Sequence, residues 1–347
     1  MARHAFVVGG TGQVGRAVAH RLASAGWAVT VAARGRFPNA VDPGDGVRVV
    51  ALDRGRAGAL ADALPAGADV LIDLIAYNAG DAEQLLRVAD RTGSLVVLST
   101  LGVYADAAGR NLRSAHDGLT GFPDFPVPMS EDQPTVSAGD AGYPYAAGKV
   151  ALEQTLLERS PVPVTVIRPG AVHGPGSTYP REWWLVKRAL DRRPAVILAH
   201  GGQSVFHPTA TANLAELIAL AAERPGTRIL NSGDPQPPTA LEVTRIVLDL
   251  MEYRAPVLLL PGEPPGRGVG DHPWMLAGPL VADLTAAERE LGYRPVTGYA
   301  DAAARTVAWL RDEIAGTDWR RHLPDMASQE RFFHYQAEDA FLRRLVP

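Results

Sequence analysis

Tyr145 and Lys149, in the run Tyr145-Ala146-Ala147-Gly148-Lys149, are the two side chains whose spacing could move a proton. The chain uses Arg almost everywhere; Lys149 and Lys187 are its only lysines among 34 basic residues. Pro144 precedes the tyrosine, where a first-turn proline can open a helix. Residues i and i+4 share a helical face, so phenol and ammonium would point into the same space. A nearby cation favours phenolate over phenol, and a phenol tuned toward neutrality can exchange a proton at a carbonyl oxygen. The alternative is a Tyr and a Lys that merely share a surface.

The elements that would position such a pair are legible upstream. Ala5-Phe6-Val7-Val8 reads as a buried strand and runs straight into Gly9-Gly10-Thr11-Gly12-Gln13-Val14-Gly15. Val14, Val18 and Leu22 then repeat at helical spacing, with Gly26 as the stop. A glycine turn between strand and helix lets backbone approach a pyrophosphate and aims helix N-terminal amides at the anion. Ala28–Ala33 forms a second strand, which ends in Ala33-Arg34-Gly35-Arg36 with no acid. An acid there would hold a ribose 2′-hydroxyl, whereas Arg34 or Arg36 suits a 2′-phosphate. NADP(H) is therefore the expected cofactor, with NAD(H) as the alternative.

Further strands are expected at 47–52, ending at Asp53, and at 70–75, 95–98 and 162–168, with helices near 56–64, 80–91 and 145–159. Asp53 could meet an adenine amino group or cap the following turn. Alternation of this kind implies a parallel, doubly wound α/β sheet, with ligands beyond the carboxyl ends of its strands. Ser99-Thr100 lies at such an end. Residues 105–142 are rich in Gly, Asp, Pro and Ser, and a loop of that length predicts a cover over the site. It carries His116, Asp117, Glu131 and Asp132, to which the sequence assigns no role. Helices follow near 181–192 and 211–223, and a strand at 228–231. The aromatic, charged tail 315–347 is expected to pack on the body or on a partner.

Composition bounds the class. With 347 residues, 46% hydrophobic and 21% charged, the chain fits one large or two coupled globular domains. A net charge of −4 without dense basic runs argues against nucleic acid and membrane surfaces. The absence of cysteine removes disulfides, thiol catalysis and Cys-ligated metal, and no metal site is expected. The first residues carry no leader pattern, so a cytoplasmic enzyme is the expectation.

Taken together, these pieces resemble the extended short-chain dehydrogenase/reductase family of the NAD(P)-dependent epimerase/dehydratase type, over about residues 4–312. The match rests on the loop Val8–Gly15, on Leu98-Ser99-Thr100-Leu101-Gly102-Val103-Tyr104, on Tyr145 to Lys149, and on Ile167-Arg168-Pro169-Gly170-Ala171-Val172-His173-Gly174-Pro175-Gly176. A weaker match runs from Ala282-Asp283 to Pro295. The resemblance implies a Rossmann-type domain (1–169 and about 203–232) and a smaller α/β substrate domain (about 170–202 and 233–314). It implies Thr100, Tyr145 and Lys149 as catalytic residues. Tyr145 would exchange the proton, Lys149 would lower the Tyr145 pKa and hold the nicotinamide ribose, and Thr100 would bond the substrate oxygen. Cofactor contacts would come from Gly9, Thr11, Gly12, Gln13, Val14, Gly15, Arg34, Asp53, Leu74, Ile75, Ala76, Lys149 and Pro169. Candidates for the substrate side are Tyr77, His173, Trp183, His207 and Arg267. A small-molecule substrate and a homodimer are implied as well.

Departures from the family pattern narrow the reaction. Leu101-Gly102 follow Thr100 where dehydratases of this type place Asp-Glu, which disfavours loss of water. Epimerases that use Cys as acid–base are excluded. Ala171 and His173 replace an Asn and a Tyr, and Ser204–Pro208 lacks a diphosphate-binding Arg, for which Arg267 is a substitute. The expectation is an NADP(H)-dependent carbonyl reductase or alcohol dehydrogenase acting on a sugar-like or secondary-metabolite substrate. A redox-neutral NAD-dependent (nucleotide-)sugar epimerase is the alternative. A cofactor-sensing or RNA-associated binding protein is disfavoured by the intact triad and the acidic net charge.

Overall fold

The computed structural model describes residues 2–34, 46–113, 121–266 and 268–345. The chain divides into two compact units. The first comprises Met1–Gly170, Thr211–Gly233 and Ala282–Val296.

Its centre is a seven-stranded parallel sheet. The strands β1 (His4–Val8), β2 (Ala28–Ala33), β3 (Val47–Ala51), β4 (Val70–Asp73), β5 (Leu95–Leu98) and β6 (Val164–Pro169) are joined by a last strand, Arg228–Ser232. The order from one edge is Arg228–Ser232, β6, β5, β4, β1, β2, β3. This is the doubly wound arrangement expected from the strand–helix alternation. β4, β5 and β6 are buried at every residue because helices cover both faces, and their sequences are mainly apolar, interrupted by Asp73 in β4 and by Thr165 and Arg168 in β6. The edge strand β3 alternates more and exposes Val49. Register sets the ligand-facing ends level: Val8 pairs with Ala32 and with Asp73, and Leu98 with Ile167.

Helix α1 (Gln13–Ser24) buries Gly15, Val18, Ala19 and Leu22, the stripe that the four-residue repeat predicts. α2 (Ala59–Ala63) and α3 (Ala79–Ala89) follow β3 and β4. The helix Pro144–Arg159 carries Pro144 in its first turn and inserts Leu152 and Leu156 into the core formed by Phe6, Leu71, Leu85 and Leu95.

The second unit comprises Ala171–Ala210, Asp234–Val281 and Thr297–Pro347. Two small parallel pairs, Val196–Leu198 with Val257–Leu259 and Ala171–His173 with Pro208–Ala210, sit among helices. Its core gathers Trp183, Trp184, Val247, Tyr299, Leu310 and Trp319. Residues of the 315–347 tail belong to this core. The Trp319 ring lies 5.6 Å from that of Trp183, and Trp184 Nε1 donates to the Phe332 carbonyl at 3.1 Å. Arg188 and Glu338 form a buried ion pair, and Arg193 reaches Asp339 at 2.5 Å.

The unit boundaries differ from the sequence expectation in two places. Residues 282–296 pack with the first unit, because Tyr293 Oη and the Val296 amide both bond Asn213, at 3.3 and 2.7 Å. Residues 203–210 belong to the second unit, where the His207 amide donates to Leu280. Among the described residues no helix is long and apolar enough to cross a membrane.

Candidate active site

The glycine turn after β1 is built by close contacts. Gly9 has φ +82°, and a Cβ there would meet Ile75 Cγ2 at 2.7 Å. A Cβ on Gly15 would fall 2.3 Å from the Gly9 carbonyl oxygen, so only glycine lets α1 begin this near the turn. The Gly12 amide donates to the Gly9 carbonyl at 3.1 Å, and Gly12 heads α1. No side chain caps that helix and no acid occupies its first turn, which leaves the positive end of the helix for an external anion. Thr11 is buried beside the turn, and Gln13 and Val14 are half-buried in the first turn of the helix. A dinucleotide phosphate fits this cradle.

Arg34 follows β2 and is exposed, with no acid at the strand's end. Arg36 lies outside the described residues, as do His116, Asp117 and Arg267. Asp53 caps its turn, its Oδ1 accepting the Gly55 amide at 3.0 Å.

Beyond β4, Ile75 and Ala76 present their amides to Asp73 Oδ1 at 2.9 and 2.8 Å. Leu74 extends the sheet by donating its amide to Val8. Asp73 is fully buried and paired with Arg54. Pro169 ends β6 in the same layer.

Thr100, Tyr145 and Lys149 converge at the carboxyl end of β5. Thr100 caps a short 3₁₀ turn, its Oγ1 accepting the Gly102 amide at 3.1 Å, which frees its own proton for donation. That hydroxyl acts on the Tyr145 phenol and favours its ionised form. Tyr145 is 48% exposed, and its ring lies 5.4 Å from that of Tyr77. Lys149 is only 6% exposed, and its Nζ donates to the carbonyls of Ala76 at 2.7 Å and Leu98 at 2.8 Å.

One electrostatic expectation needs correcting. Partial desolvation raises the Tyr145 pKa, and the Tyr77 ring adds to the rise, while the Thr100 hydroxyl lowers it. The Lys149 ammonium is held by two backbone carbonyls. Burial instead pushes Lys149 itself down to about 8, against the pull of Asp73, Glu153 and Asp81. The geometry suits a phenol that gives a proton to, or takes one from, an oxygen placed at its exposed face.

In the second unit the sequence candidates are packed away. Trp183 is 1% exposed and lies in the core against Trp319, so it offers no face for stacking a substrate. Its helix, Trp183–Leu190, is buried nearly all round, which admits two adjacent tryptophans. His173 is buried with Nε2 2.7 Å from Asp234 Oδ2, and His207 Nε2 lies 2.8 Å from the Asp234 carbonyl. His207 is an interior histidine held by backbone, whereas the buried His173 Nδ1 makes no hydrogen bond and lies 3.8 Å from Glu182 Oε1. Burial lowers the His207 pKa.

Two networks escaped the sequence reading. Arg54 joins Asp73 and Asp81. Arg168 on β6 pairs with Glu153 at 2.5 Å, both buried, and lies over the Tyr104 ring, whose hydroxyl donates to Asn231 at 2.6 Å. For Asp73 there was a signal, since an acid inside the apolar run Val70–Ile75 must have a buried partner. The sequence does not name that partner.

The sheet order and the glycine turn are those of a Rossmann-type fold, and Thr100, Tyr145 and Lys149 gather at the carboxyl end of β5. Residues 5–233 match the NAD dependent epimerase/dehydratase family, and the chain belongs to it. Over 117 residues it is 43% identical to 4-amino-4-deoxyprephenate dehydrogenase of Streptomyces pristinaespiralis, covering 33% of this chain and 36% of that one. The chain spans about a third to somewhat over half the length of the curated relatives it matches. Among solved structures, Epimerase Mth375 of Methanothermobacter thermautotrophicus superposes with a TM-score of 0.66 at 18% identity, covering 90% of this chain and 93% of that one. UDP-glucuronic acid 4-epimerase of Bacillus cereus, in complex with a fluorinated UDP-sugar and NAD, gives 0.67 at 16% identity, covering 89% and 99%. Likeness at this identity is likeness of fold.

Proposed function

We propose that the chain is an NADP(H)-dependent carbonyl reductase or alcohol dehydrogenase acting on a small, polar, sugar-like or secondary-metabolite substrate. The observation that carries this is the half-exposed Tyr145 phenol, on which Thr100 acts, in a chain whose glycine cradle after β1 suits a dinucleotide. Gly9, Gly12 and the first turn of α1 would hold the pyrophosphate, and Ile75 and Ala76 line the way toward the phenol. When bound, the dinucleotide supplies or accepts the hydride. Tyr145 Oη passes its proton to the substrate oxygen in reduction and recovers it in oxidation. Thr100 donates a hydrogen bond that steadies the phenolate or the substrate oxygen. Lys149 sets a positive charge beneath the site from its seat on two carbonyls. The exposed Arg34 with no acid at the end of β2 supports NADP(H). The partial match to a dehydrogenase supports net redox chemistry.

A second reading, a redox-neutral epimerase retaining NAD, draws support from the family and from the sugar-nucleotide epimerases of like fold. It uses the same three side chains. Two measurements test the pair of readings. Tyr145→Phe is expected to abolish turnover with nucleotide affinity nearly unchanged; retained turnover refutes the assignment of Tyr145. Denaturing the purified protein is expected to release no stoichiometric NAD, and the emptied site is expected to prefer NADPH over NADH. Release of near-equimolar NAD would favour the epimerase and overturn the role given to Arg34.

A further inference from the structure

Residues 74–78, between β4 and α3, touch both halves of the acid–base pair. The Ala76 carbonyl is one of the two seats of the Lys149 ammonium, and the Tyr77 ring lies against Tyr145. Three consecutive amides of this segment are bonded to carboxylates. Ile75 and Ala76 donate to Asp73 Oδ1, and Tyr77 donates to Asp81 Oδ2 at 2.6 Å. Both carboxylates converge on one guanidinium. Arg54 pairs with Asp73 Oδ2, its Nη2 donates to the Asp81 carbonyl at 3.1 Å, and its Nε lies 2.9 Å from Asp81 Oδ1 as an ion pair without a hydrogen bond.

We infer that Arg54 is a positioning residue: by clamping Asp73 and Asp81 at the two ends of residues 74–78 it fixes the seat of Lys149 and the wall against which Tyr145 rests. A planar guanidinium presents donors in a fixed fork and can hold two carboxylates at set angles, which an ammonium cannot do. A buried carboxylate such as Asp73 also requires a partner if it is to stay ionised and keep accepting two amides. The clamp therefore serves geometry and charge at once. The charges that act on Lys149 are Asp73 from β4, Glu153 from its own helix, Asp81 from α3 and Arg54 itself. The three acids favour the ammonium, and Arg54 opposes it.

This inference rests on Lys149 and Tyr145 being the acid–base pair, and its test needs neither substrate nor cofactor. A failure of that reading, seen as turnover in Tyr145→Phe, is therefore distinguishable from a failure of the clamp. Because the chain has two lysines, ¹³C-lysine labelling gives two ε-methylene signals, and Lys187→Arg assigns them. Each is titrated by NMR in cofactor-free protein. Asp73→Asn keeps the amide-accepting oxygen but removes a charge that favours the ammonium, so the Lys149 midpoint is expected to move down. Arg54→Met leaves the Asp73 carboxylate buried without its partner, and loss of that charge takes from Lys149 the acid that most favours the ammonium, so the midpoint is expected to move down here too. Lys187 should stay fixed in both. If the two residues served packing alone, loosening would admit water and raise Lys149 toward 10.5 in both variants. An upward shift in either variant, or no shift in either, overturns the inference. Should Asp73→Asn fail to fold, Asp81→Asn, at the accessible start of α3, is expected to move Lys149 down, and an upward shift there would overturn the inference equally.

Discussion

Replacing Lys149 by Met tests the burial of the ammonium through stability rather than turnover. The side chain is 6% exposed, and burial lowers its pKa from 10.5 to about 8. At about 1.4 kcal/mol per unit, the native state therefore disfavours the charged form by about 3 kcal/mol. The folded pKa lies below the unfolded one, so the penalty is fully present below pH 8. It fades as pH rises toward 10.5, because in that window the unfolded chain binds the proton and the native one does not. Wild-type stability should gain about 2 kcal/mol from this group between pH 8 and 9.5. Lys149→Met removes the group and with it the gain. The tyrosines whose pKa values are raised, Tyr104, Tyr299 and Tyr335 among them, act above pH 10 and are common to both proteins. The assay is urea unfolding of cofactor-free protein at half-unit steps from pH 7.5 to 9.5. The quantity read is the difference in unfolding free energy, wild type minus Lys149→Met, which is expected to rise with pH. A flat difference would mean that the ammonium is solvated in the native state. A falling one would mean that the nearby acids outweigh burial, and either outcome would refute the reasoning.

Other substitutions follow from the same structure. Gly15→Ala places a methyl 2.3 Å from the Gly9 carbonyl oxygen, so the turn must open; NADPH affinity by fluorescence titration is expected to fall at least tenfold, and an unchanged value would remove the cradle from the site. Glu338→Ala leaves Arg188 buried without its carboxylate and is expected to cost about 3–5 kcal/mol in denaturant unfolding, while Arg188→Met with Glu338→Leu recovers most of that loss. Thr239→Ala breaks the capping box with Glu242 at the start of helix Ala240–Leu250 and is expected to cost about 1 kcal/mol, with turnover unaltered.

The sequence made the nucleotide-binding half legible because its signals are local. A strand, a glycine turn and a helix occupy Ala5–Leu22 without interruption, and Tyr145 and Lys149 sit one helical turn apart. What stayed hidden depends on residues distant along the chain. Arg54 finds Asp73 only when β3 and β4 lie in one sheet, and Arg188 finds Glu338 across 150 positions. Trp183 illustrates a different limit. Adjacent aromatics on a helix point apart, which places at least one of them in the core, and Trp183–Leu190, enclosed on most sides, buries both, so Trp183 has no face left for a substrate. Tyr145 and Lys149 show a related limit: helical spacing puts two side chains on one face but does not say which carbonyls the longer one will reach.

Neither unit is cut from a single stretch of chain, and this imposes an order on its making. As the polypeptide leaves the ribosome, β6 emerges well before the strand Arg228–Ser232 that pairs with it. At roughly 5–20 residues per second the intervening segment takes roughly 3–12 s to synthesise, and for that time the nascent sheet ends in an open edge whose residues are all buried in the finished fold. The helix Thr285–Leu291, which packs against that last strand, arrives later still. Folding of the nucleotide-binding unit is thus tied to late translation, and a chain stalled between residues 170 and 228 would present β6 to chaperones or to another copy of itself.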